Sequence, residues 1–366
     1  MGSVRVSVMG KRLLITGGAG FVGSSLALQF REAYPDWHII SLDNLKRRGS
    51  ELNLERLRRQ GIHFCHGDVR NRADLEAVGK VDTIIECSAE PSALAGLDGA
   101  AAYVVDTNLV GTINCLELAR RHESELVFLS TSRVYPYEAL NALPCQETAT
   151  RFEWKLGRGY SGISSRGVAE DFPLGGTRTL YGATKLCAEL LINEYVAFYN
   201  LRAVVNRCGV LAGPWQMGKV DQVVAVLWVA RHHFGGPLSY VGFGGTGKQV
   251  RDFLHVEDLF ELLHLQLRHV DAHSGQVYNV GGGLEGSLSL RELTDFCRQA
   301  TGKTIPIGSE AETRPGDVRI YLTDTSKVRA AVAWKPRWTV DRMIESIAAW
   351  IRDHEQALRP IIGNGS

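Results

Sequence analysis

Tyr181 and Lys185 stand four residues apart in the stretch YGATK, where the sequence predicts the start of a long helix. Residues at this spacing lie on one face of a helix, so the phenol and the ammonium group point the same way. A nearby cation favours phenolate, so the pair is suited to take a proton from an alcohol. The spacing is also common on solvated helix faces, and it needs support from the rest of the chain.

A candidate partner for this pair follows a buried strand earlier in the chain. Residues 126–129 form an apolar run, after which come Ser130, Thr131 and Ser132. The carboxyl ends of parallel strands are where such sheets bind ligands. We therefore expect Thr131 to hydrogen-bond the reacting alcohol and to orient it towards the tyrosine.

A glycine-rich turn near the start of the chain predicts a dinucleotide site. Residues 11–24, KRLLITGGAGFVGS, have the pattern of a strand, a tight turn and a helix start. Glycine there gives backbone freedom, lets a pyrophosphate approach the main chain and allows close helix packing. The positive N-terminal end of the helix would hold the pyrophosphate. The predicted cofactor contacts are Gly17, Gly20, Phe21 and Val22.

An acidic residue at the right distance indicates which dinucleotide binds. The next predicted strand, residues 38–42, ends at Asp43. A carboxylate at this spacing accepts hydrogen bonds from the adenosine ribose hydroxyls and repels a 2′-phosphate. The sequence therefore favours NAD over NADP, while Arg47 and Arg48 stand close enough to keep the second cofactor open.

Composition limits the class of protein. The chain has 366 residues, of which 45% are hydrophobic and 22% charged, and these values are typical of a globular protein of more than one compact unit. Lysine and arginine number 41 against 40 aspartate and glutamate, so no basic surplus favours nucleic acid as a partner. No apolar run approaches the ~18 residues of a membrane span, and we expect no membrane partner.

Cysteine and histidine patterns indicate neither a disulfide framework nor a metal site. The seven cysteines are odd in number and never spaced as CxxC, which suits reduced thiols in a cytoplasmic protein. The adjacent His232 and His233 cannot face one site from a helix, and no pair has ligand spacing. We therefore predict no metal. The short polar stretch before the first strand differs from a secretory signal.

Strand and helix patterns alternate through the first half, which predicts a doubly wound parallel α/β sheet of Rossmann type. We expect residues 1–207 to form this NAD-binding domain, with an active-site insertion at 136–180. The glycine-rich residues 208–366 predict a smaller C-terminal α/β substrate-binding domain. We expect the chain to cross back to the Rossmann sheet near residues 249–280. Two long helices, predicted at about residues 102–121 and 181–199, are apolar on more than one face. This pattern suits a helix-pair dimer interface or deep packing on the sheet.

These motifs together resemble the extended short-chain dehydrogenase/reductase family of NAD-dependent sugar-nucleotide epimerases and dehydratases. The resemblance spans nearly the whole chain and is specific at the level of the family. The stretches that carry it are TGGAGFVGS, Asp43-Asn44, Gly67-Asp68-Val69, NLVGT from Asn108, STSRVY, YGATK, GKQVRDFLHVED from Gly247, NVGG from Asn279 and RPGD from Arg314.

The resemblance implies roles for further residues. Thr131, Tyr181 and Lys185 would be the catalytic trio, and Lys185 would also hold the nicotinamide ribose. Arg251 and Arg314 would bind the nucleotide diphosphate, to which guanidinium groups are suited. Further expected cofactor contacts are Asn44, Asp68, Val69, Ser88, Ala89 and Asn108. The full set of expected substrate contacts is Ser132, Arg133, Asn206, Gln249, Arg251, Arg314 and Asp317, the last at the nucleotide ribose.

One residue position helps to distinguish between the reactions of this family. Family dehydratases carry an acid two residues before the tyrosine of STxxVY to protonate the leaving hydroxyl, whereas this chain has Arg133 there. Epimerisation needs no such acid. Arg133, the insertion and the GKQVRD–LHVEDL run resemble 2-epimerases of CDP-deoxyhexoses more than UDP-galactose 4-epimerases. The family also implies a homodimer.

Other functions stay open at this point. A UDP-hexose 4-epimerase, or a dehydratase or decarboxylase of a UDP- or GDP-sugar, belongs to the same family. A non-catalytic NAD-sensing scaffold is a further alternative, which the intact catalytic trio disfavours.

The chain departs from its relatives at residues 86–91, where they carry a His-Leu-Ala stretch, and at residues 211–214. Glu90 lies in the first of these segments, where it contacts a ligand or has a capping or solvated role.

Overall fold

A computed structural model describes residues 10–92, 94–97, 99, 101–157, 159–217 and 224–363. Short strands and longer helices alternate along this part of the chain. The strands are β1 (Arg12–Thr16), β2 (His38–Asp43), β3 (His63–His66), β4 (Thr83–Glu86), β5 (Glu125–Thr131), β6 (Cys145–Glu147), β7 (Phe152–Trp154), β8 (Ile163–Ser164), β9 (Gly167–Val168), β10 (Ala203–Cys208), β11 (Val210–Ala212), β12 (Leu238–Val241), β13 (Val250–His255), β14 (Val277–Val280), β15 (Ser287–Ser289) and β16 (Ile307–Glu310).

The helices range from one turn to more than five turns. They are α1 (Phe21–Ala33), α2 (Leu52–Arg59), α3 (Arg72–Glu76), α4 (Ala101–Val105), α5 (Gly111–His122), α6 (Tyr137–Asn141), α7 (Leu180–Tyr199), α8 (Val224–Phe234), α9 (Val256–Arg268), α10 (Val270–His273), α11 (Leu290–Thr301), α12 (Ser326–Val332), α13 (Val340–Asp353) and α14 (Glu355–Leu358). Short π-helical segments at Asp106–Val110 and Arg359–Gly363 and 3₁₀ turns at Ser132–Val134 and Phe243–Gly245 complete the set.

Seven strands form one parallel sheet in the order β3-β2-β1-β4-β5-β10-β14. The prediction of a doubly wound parallel sheet is therefore confirmed. The strand order reverses between β1 and β4, and in such sheets a ligand binds outside the carboxyl ends of the strands at this point. The turn after β1 and the loop after β4 both lie there.

Helices cover both faces of the sheet, because its strands are apolar on both sides. Successive side chains of a strand point to opposite faces. Leu13 and Ile15 of β1 accordingly pack with α1 and α9, whereas Leu14 packs on the other face with α5 and α7. The helix α7, which carries the YGATK stretch, is thus supported directly by the sheet.

The second half of the chain builds a separate apolar cluster. Trp228 of α8, Leu293 of α11 and Ile347 of α13 lie in it, next to a three-stranded sheet β11-β13-β15 and the pair β12-β16. Between these elements β14 returns to the edge of the central sheet beside β10. The domain boundaries proposed from the sequence stay predictions.

The insertion at 136–180 contains α6 and two short antiparallel pairs, β6-β7 and β8-β9. Strands of two or three residues are too short to show a periodic pattern, so few sequence signals indicate them. The segment packs against the second half of the chain. Arg151 forms an ion pair with Glu292 at 2.5 Å, and Val168 forms a parallel bridge with Thr323.

The sequence of the second half predicts helices over residues 220–234, 256–268, 290–301 and 340–355, and these bounds agree with the structure to different degrees. Residues 290–301 match α11 throughout, and the side chain and backbone of Ser289 and Glu292 form a capping box at its start. For α8 the prediction began at residue 220, and residues 220–223 lie outside the described ranges. The predicted helix 340–355 ends earlier, at Asp353. In the described part of the chain, no helix combines the length and apolar character needed to cross a membrane.

Candidate active site

The glycine turn after β1 forms a cradle that fits a dinucleotide. Gly17 has a φ of +62°, which favours glycine, and its carbonyl accepts a hydrogen bond from the Gly20 amide at 3.0 Å. A Cβ on Gly23 would stand 2.3 Å from the Gly17 oxygen, so α1 packs more closely than any other residue permits. The helix begins at Phe21, and the backbone N–H groups of its first turn provide the usual site for a pyrophosphate.

Asp43 lies against this turn at the end of β2. Its carboxylate accepts hydrogen bonds from the Ala19 amide at 3.1 Å and the Leu45 amide at 2.8 Å. Burial raises the pKa of Asp43, while these backbone donors lower it. Arg48 donates to the Pro360 carbonyl at 2.7 Å, and Arg47 lies 3.8 Å from Glu90. Arg48 thus has a hydrogen-bond acceptor and Arg47 an ion-pair partner within the protein, which favours NAD at this site.

The remaining predicted cofactor residues surround the same crevice. The Asn44 amide donates to Asp68 at 2.9 Å, and the Arg70 guanidinium lowers the pKa of Asp68. Val69 is buried beside them. On the other side of the turn, a Cβ on Gly17 would stand 3.1 Å from the Ser88 Cα, so the loop after β4 touches the turn.

Asn108 joins this loop to the catalytic helix. Its side-chain oxygen accepts from the Glu90 amide at 2.8 Å, and its side-chain nitrogen donates to the Glu90 carbonyl and to the Thr184 hydroxyl, both at 3.2 Å. The residue is fully buried in the π-helical segment between α4 and α5. Asn108 therefore fixes the loop containing Ala89 relative to Tyr181 and Lys185.

The structure brings the predicted catalytic trio together. Thr131 is the last residue of β5, and Tyr181 and Lys185 lie in the first turns of α7. A Cβ on Gly182 would stand 2.0 Å from the Arg133 carbonyl oxygen, so the helix starts directly against the chain that follows β5. All three side chains are buried, and the Thr131 hydroxyl is near enough to the Tyr181 phenol to lower its pKa.

Opposing effects set the acidity of the phenol. Burial raises the pKa of Tyr181 above its ordinary value. The Lys185 ammonium, the Thr131 hydroxyl and the Arg133 guanidinium lower this pKa, whereas Cys208 raises it. The arrangement therefore provides a buried base whose ionisation depends on neighbouring cations.

Lys185 has an acidic partner that the sequence analysis missed. Its Nζ lies 3.4 Å from Oε2 of Glu86, the last residue of β4, and 4.2 Å from the centre of the Phe128 ring. The exposed fraction is 2% for the lysine side chain and 0% for the glutamate. An ionisable residue inside the apolar run Thr83-Ile-Ile-Glu86-Cys was the signal that could have identified Glu86.

A cleft opens beside the trio. Arg251 in this cleft pairs with Asp317 at 2.6 Å, and Arg133 donates to the Gly316 carbonyl at 2.9 Å. Tyr137 and Arg178 also line it and were not predicted from the sequence. The described lining residues are Ser132, Arg133, Tyr135, Tyr137, Leu140, Arg178, Thr179, Val210, Arg251, Gly316, Val318 and Tyr321.

Four predicted substrate residues do not line this cleft, and one of them, Asp317, is placed next to it by its ion pair with Arg251. The Asn206 amide is fully buried and forms a reciprocal pair of 2.9 Å hydrogen bonds with Gln266 of α9. Gln249 donates to the Val241 carbonyl at 2.9 Å. Arg314 is exposed two residues before Gly316. Their substrate roles stay predictions, and that of Asn206 would require its amide to leave Gln266.

Comparison with known proteins identifies the family. The model of the NAD dependent epimerase/dehydratase family matches residues 13–281. The chain is 30% identical over 360 residues to a CDP-paratose 2-epimerase of Salmonella typhi, covering 93% of this chain and 98% of that protein. It is also 30% identical over 359 residues to a dTDP-glucose 4,6-dehydratase of Streptomyces niveus, covering 96% and 95%.

A solved structure gives the same result. The dTDP-glucose 4,6-dehydratase of Bacillus anthracis in complex with NAD superposes with a TM-score of 0.76 at 27% identity, covering 96% of this chain and 99% of that one. The fold is that of the NAD-dependent epimerases and dehydratases of nucleotide-activated sugars. The chain belongs to the NAD-dependent epimerase/dehydratase family, and the predictions of this family and of NAD are confirmed.

Proposed function

We propose that this enzyme epimerises a nucleotide-activated sugar, and specifically C2 of a CDP-deoxyhexose. The observation that carries the proposal is the lining of the cleft beside Tyr181. No described lining residue is an aspartate or a glutamate, and Arg133 occupies the place where family dehydratases carry an acid. Loss of water requires a general acid at the leaving hydroxyl. Inversion of a carbinol requires none, and the similarity to a CDP-paratose 2-epimerase supports the choice of sugar.

The residues of the trio divide the proton chemistry between them. When bound, NAD supplies the oxidant that takes a hydride from the sugar carbinol and gives it back. Tyr181, as phenolate, accepts the hydroxyl proton, and Thr131 orients the reacting oxygen towards it. Lys185 favours the phenolate. Once the keto sugar presents its opposite face, Tyr181 returns the proton.

The cleft supplies the means to hold the rest of the substrate. The Arg251 guanidinium offers parallel N–H donors, which suit a diphosphate. Asp317 holds that guanidinium in place at 2.6 Å. Arg314, which is exposed nearby, completes the proposed diphosphate contacts, and Asp317 is the proposed contact of the nucleotide ribose.

A UDP-hexose 4-epimerase is the second candidate. The absence of an acid from the described cleft lining favours it equally, because both reactions proceed through a keto sugar. The two candidates differ in the nucleotide base and in the carbon that is inverted. They are therefore distinguished by product analysis rather than by the catalytic trio.

The test is proton NMR of the product formed in deuterated water from CDP-, UDP- and GDP-sugars. Inversion at C2 of a CDP-deoxyhexose without deuterium incorporation is the expected result. Inversion at C4 would establish the second candidate. Loss of water or of carbon dioxide would reject both. Chromatography of nucleotides released by denaturation supplies an independent readout, since an epimerase that recycles its cofactor is expected to retain stoichiometric NAD.

We also propose that the enzyme is a homodimer, built on the outer face of α7. Leu190 and Phe198 are 58% and 75% exposed. They stand eight residues apart, which is about two helical turns, so they lie on the same side of the helix. Tyr199 at the end of the helix and Val110 beside α5 are exposed apolar residues of the same region. Association with a second copy would cover this strip.

A further inference from the structure

Glu86 is a buried acid next to the active-site residue Lys185. It ends β4, one strand away from Thr131 in the central sheet, and its side chain is fully inaccessible to solvent. Its Oε2 lies 3.4 Å from the Lys185 Nζ. The other oxygen, Oε1, is buried without a hydrogen-bond partner among the described residues. A buried carboxylate with one unpaired oxygen is costly, so its presence calls for a physical reason.

The surroundings of Glu86 leave the lysine as its main source of stabilisation. Burial raises the pKa of the Glu86 carboxyl group, and the Lys185 ammonium together with the Ser88 amide lowers it. The other titratable groups that face Glu86 are Cys87, which follows it in the chain, and Cys115 of α5. Burial raises the pKa of both thiols well above the ordinary range. The structure therefore places the acid and the lysine together as a buried pair at 3.4 Å.

The same lysine acts on the catalytic phenol. Tyr181 is faced by Lys185 one turn along α7, by Arg133 after β5, by the Thr131 hydroxyl and by the Cys208 thiol of β10. The carboxylate thus lies on one side of the ammonium in the same buried region as the phenol. In a medium of low dielectric a counter-charge at 3.4 Å offsets much of the field of the ammonium.

We propose that Glu86 is a positioning residue, which holds the Lys185 ammonium in place and offsets part of its charge, so that Tyr181 both accepts and returns a proton within one turnover. An unopposed cation would stabilise the phenolate more strongly and make the return of the proton harder. A general base that must later serve as the acid works best when neither form is strongly favoured. The inference rests on the proposed function only through this double role of Tyr181.

The test is the titration of Tyr181 in the NAD-loaded protein, read by the near-ultraviolet absorbance of phenolate. Each variant is compared with the same variant carrying Tyr181→Phe, so that the difference isolates one phenol. Glu86→Gln removes the charge and keeps an acceptor for the ammonium, whereas Glu86→Asp keeps the charge. We expect the Tyr181 titration to move to lower pH in Glu86→Gln and to stay close to wild type in Glu86→Asp.

The outcomes separate this inference from the proposed function. A titration that is unmoved or moves to higher pH in Glu86→Gln overturns the role of Glu86, whatever reaction the enzyme catalyses. The titration needs no sugar nucleotide, so it remains informative even where NMR finds no epimerisation. Should Glu86→Gln not fold, Glu86→Met supplies the comparison, because it also removes the negative charge and fills a similar buried volume.

Discussion

The guanidinium group of Arg207 and the carboxylate of Glu189 lie 2.7 Å apart in the interior, with exposed fractions of 6% and 2%. Arg207 lies near the carboxyl end of β10, and Glu189 lies on α7. The Ser130 hydroxyl of β5 donates to the same carboxylate, and Arg207 also donates to the Tyr135 hydroxyl at 3.0 Å. This network joins two strands to the catalytic helix directly beneath Thr131.

Removing one partner of the pair is expected to destabilise the protein strongly. Glu189→Leu leaves the Arg207 charge buried and unpaired, which typically costs about 3–5 kcal/mol. Urea unfolding monitored by circular dichroism measures the change in the free energy of unfolding. Glu147→Gln, which affects the more exposed pair with Lys248, is the control and should leave the midpoint nearly unchanged. Equal midpoints for both variants would contradict the structural role assigned to the buried pair.

Tyr181→Phe is expected to reduce the turnover number by about 10²–10⁴-fold, the usual contribution of a general base and acid. The phenyl ring fills the same buried space, so the fold and the bound NAD should be retained. Steady-state kinetics give the first quantity, and chromatography of released nucleotide gives the second. An active variant would remove Tyr181 from the reaction. A variant without NAD would show instead that the ring supports the cofactor site.

Arg133→Gln is expected to move the acid limb of the pH–rate profile to higher pH. The reaction requires the phenolate, so the rate rises as pH increases through the pKa of Tyr181. Arg133 lowers this pKa, and removal of its charge therefore raises the pH at which the base is half ionised. Arg133→Lys keeps the charge and is the matched control. A profile that does not move, or that moves equally in both variants, would contradict the electrostatic role.

Arg251→Lys is expected to raise KM for the sugar nucleotide by about 10- to 100-fold with a smaller change in the turnover number. A lysine keeps the charge but loses the paired N–H donors that suit a diphosphate. One charge-assisted hydrogen bond is worth about 1.5–3 kcal/mol, which corresponds to this range. Arg298→Lys on the exposed side of α11 is the control. An unchanged KM in Arg251→Lys would place the diphosphate elsewhere.

The parts of the site that the sequence predicted are those fixed by local geometry. The glycine turn is required by a positive φ at Gly17 and by the close approach of α1 at Gly23, and both requirements are visible as residue types. Tyr181 and Lys185 share a face because four residues make about one helical turn. Their position relative to each other is set by the same short segment that carries them.

The parts that the sequence missed depend on packing between distant segments. Glu86 and Lys185 are 99 residues apart, and only the alignment of β4 beneath α7 brings them within 3.4 Å. The family resemblance implied that Asn206 contacts the substrate, but the packing of α9 on β10 turns its amide towards Gln266. A strand pattern indicates that successive side chains alternate, and it does not indicate which face meets the ligand.

Disruption of the exposed strip on α7 is expected to dissociate the proposed dimer. Leu190→Glu combined with Phe198→Glu places two charges on this strip, where two copies would bring like charges together away from water. Leu284→Glu is a matched control, since Leu284 is 57% exposed, close to the 58% of Leu190, on a different part of the surface. Light scattering coupled to size-exclusion chromatography should give twice the mass of the chain for wild type and control, and the single mass for the double variant. A monomeric wild type, or a double variant that keeps the dimer mass, would show that α7 does not form the interface.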